Sequence, residues 1–239
     1  RSSDLFTGSD VAGPRGRATS IDGRDWRWFG HDYQPGSNSF TFTFPVDCSE
    51  VRFAMAIPYV HADLVKFLVG YDRESRVNVE DYYQSASGRD FEVIRIDNPD
   101  AGRRRYRVLL TARNHACESI ASYVLEGIVN AALGISAVGD WFNENVEILA
   151  FPIVDLDGVE RGDQGKNRSP HDHNRDYGRG DPIYPEIRSL KRLVENWATD
   201  GVSLGIDLHC PYIRGKEHER IFFVGGSNAS AFNALTNFS

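Results

Sequence analysis

Residues 104–133 read RRYRVLLTARNHACESIASYVLEGIVNAAL, and their pattern changes character halfway. Tyr106, Val108, Leu109 and Leu110 form an apolar run of the kind found in buried strands. After the polar loop Thr111–Asn114 the period lengthens: Ile120, Val124, Leu125, Ile128, Val129, Ala132 and Leu133 recur as one face of an amphipathic helix. The stretch therefore predicts a strand over 104–110 feeding a helix over 118–133. His115 falls at the strand exit and Glu118 in the first helical turn. Side chains three positions apart on a helical turn reach a common point. An imidazole and a carboxylate meeting at the carboxyl end of a strand supply half of a zinc site. Taken alone, the pair also fits an acid placed simply to favour the positive end of the helix.

A third element extends the pattern. Val202–Pro211, VSLGIDLHCP, reads as another buried strand, ending in Asp207-Leu208-His209. Catalytic zinc takes three protein ligands and keeps one position open; His115, Glu118 and His209 meet that requirement. Between the two halves lies FPIVDLDGVERGDQGKNRSPHDHNRDY, residues 151–177. With His-x-x-Glu, Pro…Asp-Gly-Val, Asp-x-Asn-Arg and a strand-borne histidine in that order, roughly residues 38–225 resemble the M14-type zinc carboxypeptidases, most closely their cytosolic branch.

That resemblance implies roles, residue by residue. Zinc would be the cofactor, held by His115, Glu118 and His209. Asn174 and Arg175 match the pair that grips the C-terminal carboxylate of a peptide, which suits a planar guanidinium and an amide. Arg168 matches the catalytic arginine facing the scissile carbonyl oxygen, where a fixed charge stabilises an oxyanion. Asp172 stands where the family places the acid that orients the first zinc histidine. Each of these charges would otherwise be an ordinary solvated loop residue. His171 and His173 are alternative ligands, but using them would take the metal away from the strand ends.

Composition narrows the classes. At 239 residues with 41% hydrophobic content the chain can bury a sizeable core. The net charge of −7 gives no attraction for nucleic acid or anionic membrane, and no apolar run approaches a transmembrane length. Three widely spaced cysteines, Cys48, Cys117 and Cys210, argue against a disulfide framework and favour a reducing, cytoplasmic setting.

Along the chain, the first thirty-seven residues, rich in Gly, Ser and Asp, predict irregular structure or short strands and not a helix. From Ser39 the alternation Phe40-Thr-Phe42-Thr-Phe44 predicts a half-buried strand, and Val51–Ile57 a second. Ala62–Gly70 fits either helix or strand, and Phe91–Ile96 alternates again. Asn98-Pro99-Asp100-Ala101-Gly102 is a strong turn, and the composition switches there from mostly β to alternating strand and helix. The expected class is α/β: an N-terminal β-sandwich over 1–98, the small domain that the cytosolic branch carries, then a mixed-sheet zinc carboxypeptidase-like domain over 99–239. In the second part we expect strand 146–154, an irregular stretch 155–184, helix 185–197, strand 202–208, strand 220–224 and a helix starting at Ser227. No internal repeat or low-complexity run is present.

One departure from the family stands out. Its proton-transferring glutamate lies on a strand well downstream of the third ligand, whereas here Glu217 and Glu219 are the only later carboxylates. The expectation is an N-terminal portion of a longer enzyme, with the general base beyond Ser239. The alternatives are a zinc deacylase of acyl-amino acids, resembling succinylglutamate desuccinylase and aspartoacylase, and a non-catalytic zinc- and peptide-binding module.

Overall fold

The structure, a computed structural model, describes residues 15–30, 41–100, 102, 106–178, 180–210, 221–224 and 233. The chain divides into two compact units, Ser3–Met55 with Pro211–Ser239, and Ala56–Cys210.

In the first unit β1 (Ala18–Ser20) pairs antiparallel with both β2 (Arg27–Trp28) and β3 (Arg52–Ala54), giving the order β2-β1-β3. The β1–β2 reversal is fixed by Asp22, whose Oδ1 accepts from Arg24 N and Asp25 N, each at 2.8 Å. The strand expected from Ser39 is not found where it can be seen: Phe40 lies outside the described residues, and Thr41–Phe44 are not in a strand. Alternation prescribes which side chains share a face, but a ladder also needs a partner edge. Here Phe42 instead packs its ring near Phe29, Phe44 and Phe53, at centroid distances of 6.0, 5.4 and 5.2 Å. The strand expected over 51–57 shrinks to β3.

The second unit is a mixed α/β sheet with helices on both faces. Its elements are α1 (His61–Val69), β4 (Val77–Gln84), β5 (Asp90–Ile96), β6 (Tyr106–Ala112), α2 (Ser119–Leu133), α3 (Ala137–Asn145), β7 (Val146–Phe151), α4 (Leu156–Arg161), α5 (Pro185–Trp197) and β8 (Leu204–Leu208). The strand order is β4-β5-β7-β6-β8. β6 runs parallel to β7 and β8, whereas β5 is antiparallel to β4 and β7. Period-2 alternation sorts the strands' side chains into two cores. Ile94, Ile96, Leu110, Ile148 and Ala150 pack with Leu125 and Val129 of α2. Phe91, Val93, Leu149 and Phe151 pack with Ile187, Leu190 and Trp197 of α5. No single helix among the described residues is long and apolar enough to cross a membrane.

Several expectations change. The turn at 98–102 does not separate two sheets, because β5 before it pairs with β7 after it; an alternating strand looks the same in a sandwich and at the antiparallel side of a mixed sheet. Ala62–Gly70 resolves as helix α1, where the Asp63 carboxylate accepts from Val60 N at 2.8 Å. The buried face of α2 is Ala121, Ser122, Leu125, Val129 and Ala132, while Ile120 and Val124 are exposed; small residues let the helix sit close to the sheet. Strand β4 and helix α3 were not foreseen. The stretch 155–184 contains α4, started by Asp155, whose side chain accepts from Gly158 N at 3.0 Å, and a single 3-10 turn, His173–Arg175. Ile221–Val224 form no strand, and the helix expected from Ser227 lies outside the described residues except for Asn233. Glu217 and Glu219 lie outside them as well.

For function, the decisive pairing is β6 with β8. Ala112 sits opposite Leu208 in a parallel register, so the residues that follow both strands leave the sheet at the same end.

Candidate metal centre

The chain leaves β6 through Arg113, which holds the left-handed conformation at φ 60° and is buried. Its guanidinium donates to Tyr59 O at 2.9 Å, Ser122 Oγ at 3.1 Å and Ala116 O at 3.1 Å. A left-handed arginine is uncommon, and this one clamps the short loop that carries His115 and Glu118. The adjacent Asn114 is fully buried; it donates to Asp207 Oδ1 at 2.8 Å and accepts from the Tyr177 hydroxyl at 2.9 Å.

His115, Glu118 and His209 converge, offering ligand atoms that all lie within 4.8 Å of one another. Glu118 sits between the rings: His115 Nδ1 is 3.3 Å from its Oε1 and His209 Nδ1 is 2.6 Å from its Oε2. The two rings have centroids 5.0 Å apart. Both Nδ1 atoms thus face the carboxylate, while both Nε2 atoms face other acids. His115 Nε2 is 3.6 Å from Asp172 Oδ2, and His209 Nε2 is 2.7 Å from Asp207 Oδ2. Burial opposes charge on Glu118, but His115, His209 and Lys166 together hold its carboxyl far below the usual range. Burial likewise opposes protonation of His209, yet Asp207 and Glu118 push it up to about 9.

These residues fit a zinc ion. His115 Nδ1 is buried and has no hydrogen-bond partner among the described residues, an arrangement that is costly unless something coordinates the atom. Two imidazoles and a carboxylate are a zinc donor set, and imidazole ligands usually give their other N–H to a carboxylate, as Asp172 and Asp207 allow.

The remaining candidates divide. Asp172 lies beside His115, as expected from the resemblance, and Asn174 Nδ2 is 3.2 Å from His209 Nε2. Arg175 is exposed on the 3-10 turn, its N–H donating to Asp172 O at 3.0 Å. Arg168 is held elsewhere: its Nε donates to Asp155 Oδ2 at 3.1 Å and its Nη2 to Asp163 Oδ2 at 3.2 Å. Gly158 makes room for that pair, since a Cβ there would run into both Arg168 Nη2 and the Asp155 carboxylate. His171 bonds Asp176 and His173 bonds Glu186, each at 2.7 Å, and His173 stacks on Tyr184; neither histidine joins the cluster. Sequence reasoning did not assign Asp207, although Asp-x-His on a strand places both side chains on one face. It also missed Lys166, whose Nζ is 2.7 Å from Glu118 Oε1; nothing local to the sequence signals that contact.

A sequence profile of the zinc carboxypeptidases (peptidase M14) matches residues 68–210, well over half of the chain. The chain belongs to the zinc carboxypeptidase family. Among curated relatives, cytosolic carboxypeptidase 3 of Bos taurus is 24% identical over 211 residues, covering 83% of this chain and 20% of the relative. Cytosolic carboxypeptidase 6 of Homo sapiens is 24% identical over 183 residues, covering 72% and 36%. The chain therefore spans only about a fifth to a third of the length of these relatives. A metallo-carboxypeptidase from Burkholderia cenocepacia superposes with a TM-score of 0.65 at 18% identity, over 85% of this chain and 53% of that one. One from Pseudomonas aeruginosa, in complex with (2-guanidinoethylmercapto)succinic acid, gives 0.64 at 22% identity over 84% and 52%. The mixed sheet of this zinc carboxypeptidase-family chain is thus the fold of solved metallocarboxypeptidases.

Proposed function

We propose that this chain carries the metal centre and carboxylate-recognition loop of a zinc-dependent metallocarboxypeptidase that releases the C-terminal residue of a peptide or protein. The observation that carries this reading is the convergence of His115, Glu118 and His209 at the shared end of β6 and β8. Zinc in that site would lower the pKa of a water molecule and polarise a carbonyl. Asp172 orients His115, and Asp207 orients His209. Arg175, exposed and one residue from Asn174, offers a fork for the substrate's terminal carboxylate. Fixing that carboxylate presents only the last peptide bond to the centre. The cytosolic names of the relatives and the three free cysteines support a cytoplasmic setting. The β2-β1-β3 sheet with its aromatic cluster supports reading residues before Met55 as part of a β-sandwich.

The test is binding. The 239-residue chain should take up about one zinc and bind peptides with a free C-terminal carboxylate, while the same peptides amidated at the C-terminus bind poorly. Arg175→Ala should cost on the order of 2–5 kcal/mol of peptide affinity. Equal binding of free and amidated peptides, seen by calorimetry, would overturn the carboxypeptidase reading.

A further inference from the structure

The turn that carries Asn174 and Arg175 is anchored by the residues around that pair. His173, with only 2% of its side chain exposed, reaches Glu186 in the first turn of α5. Its Nε2 lies 2.7 Å from Glu186 Oε1; a carboxylate only accepts, so the ring donates. Tyr184, the residue before α5, lies nearly flat on the imidazole with centroids 3.8 Å apart, and its hydroxyl donates to His171 O at 2.6 Å. Asp176 closes the other end, accepting from Ile183 N at 3.1 Å and Tyr184 N at 2.9 Å. The segment is thus fastened to the start of α5 on both sides of Asn174 and Arg175. On its other side His173 Nδ1 faces Asp155, the residue that starts α4, at 3.8 Å. Neither that nitrogen nor Glu186 Oε2 has a hydrogen-bond partner among the described residues. As a mere filler this pair is a poor choice, because an apolar side chain of similar volume would escape the cost of burying polar groups. What the pair adds is direction, since a hydrogen bond constrains angle as well as distance.

We propose that His173, held by Glu186, is the positioning residue for recognition of the terminal carboxylate: it fixes the 3-10 turn so that Asn174 and Arg175 present their donors in one set arrangement. This assignment rests on the metallocarboxypeptidase reading and adds to it the device that holds the recognition pair in place.

The probe is a peptide with a free C-terminal carboxylate, titrated by calorimetry into the zinc-loaded 239-residue chain beside the same peptide amidated at its C-terminus. His173→Leu fills the space and loses the hydrogen bond. It should weaken the free-acid peptide by roughly 10- to 100-fold, the scale of a misplaced binding group, and leave the amidated peptide and the zinc content unchanged. Combined with Arg175→Ala it should cost little further, because both act through one contact; a merely structural lesion would add its own loss. Glu186→Ala, which removes the acceptor and leaves the ring, should show the same selective loss. Glu186→Gln, whose amide oxygen still accepts, should keep most of the affinity, and these two variants carry the test by themselves where His173→Leu fails to fold. If the parent prefers the free acid and Glu186→Ala and His173→Leu bind it with parental affinity, the assignment of His173 falls and the carboxypeptidase reading stands. The assignment also falls if both peptides weaken together, if zinc is lost, or if the losses of His173→Leu and Arg175→Ala add in full. A parent that does not prefer the free acid overturns both.

Discussion

Asp207 and Asp172 face two different histidines and reach them by different routes. Asp207, near the end of β8, reaches His209 just past the strand, and Thr111 Oγ1 and Asn114 Nδ2 fix its other oxygen, each at 2.8 Å. Asp172 comes from the irregular stretch before the 3-10 turn and stands 3.6 Å from His115. If both orient metal-binding imidazoles, Asp172→Ala and Asp207→Asn should each lower zinc affinity by about 10- to 100-fold. Competition against a chelator of known affinity measures this, and parental affinity in either variant would leave that acid with no part in the centre. His115→Ala should remove zinc altogether, since two ligands do not complete the set. The spacing of His115 and Glu118 was legible because three residues make most of one helical turn. Lys166 was not, because its contact spans forty-eight positions and depends on how one loop lies on another.

The β4–β5 hairpin is pinned to α4 by one carboxylate. Asp157 accepts from Ser85 Oγ at 2.7 Å, Ser87 N at 2.9 Å and Arg89 Nη1 at 2.6 Å. Burial alone would raise its pKa, but these donors outweigh it and hold the carboxyl below its usual value. Asp157→Ala strands three donors at a largely buried site and should cost about 2–4 kcal/mol. Because the folded-state pKa is depressed, this contribution is complete above about pH 4, the ordinary aspartate value, and fades as pH falls through the lower folded value. Urea unfolding should therefore show a parent-minus-variant difference that is full at neutral pH and shrinks in strong acid. A difference independent of pH would mean that packing, and not the charge, holds the hairpin. Element boundaries were legible where local chemistry marks them: Pro185 opens α5 and its apolar spacing runs to Trp197. The strand β4, VNVEDYYQ, was not, since its charges and amides break the apolar alternation that identifies a strand.

For the molecule as a whole, zinc should act as a folding ligand of the Ala56–Cys210 unit, because His209 comes from a segment far in sequence from the one that carries His115 and Glu118, and the three meet only in the folded chain. At free zinc one hundred times the dissociation constant, binding adds about 2.7 kcal/mol. For a domain of this size that corresponds to a Tm higher by about 5–10 °C, read by calorimetry with and without a chelator; an unchanged melting curve would show that the centre does not assemble around the metal. The sequence by itself determined the α/β class, from the alternation of strand and helix patterns, and the strand–loop–helix around His115 and Glu118 and the helix α5, because each of these follows from spacing along a short segment. Only the tertiary structure decided that β5 joins the β7 side of the main sheet, that Asp207 backs His209, that Arg168 is spent on Asp155, and that Lys166 stands at Glu118. Those facts depend on which edges and loops meet after the chain has folded, and strand order and loop docking are set by summed long-range packing that leaves no periodic mark on the residues themselves.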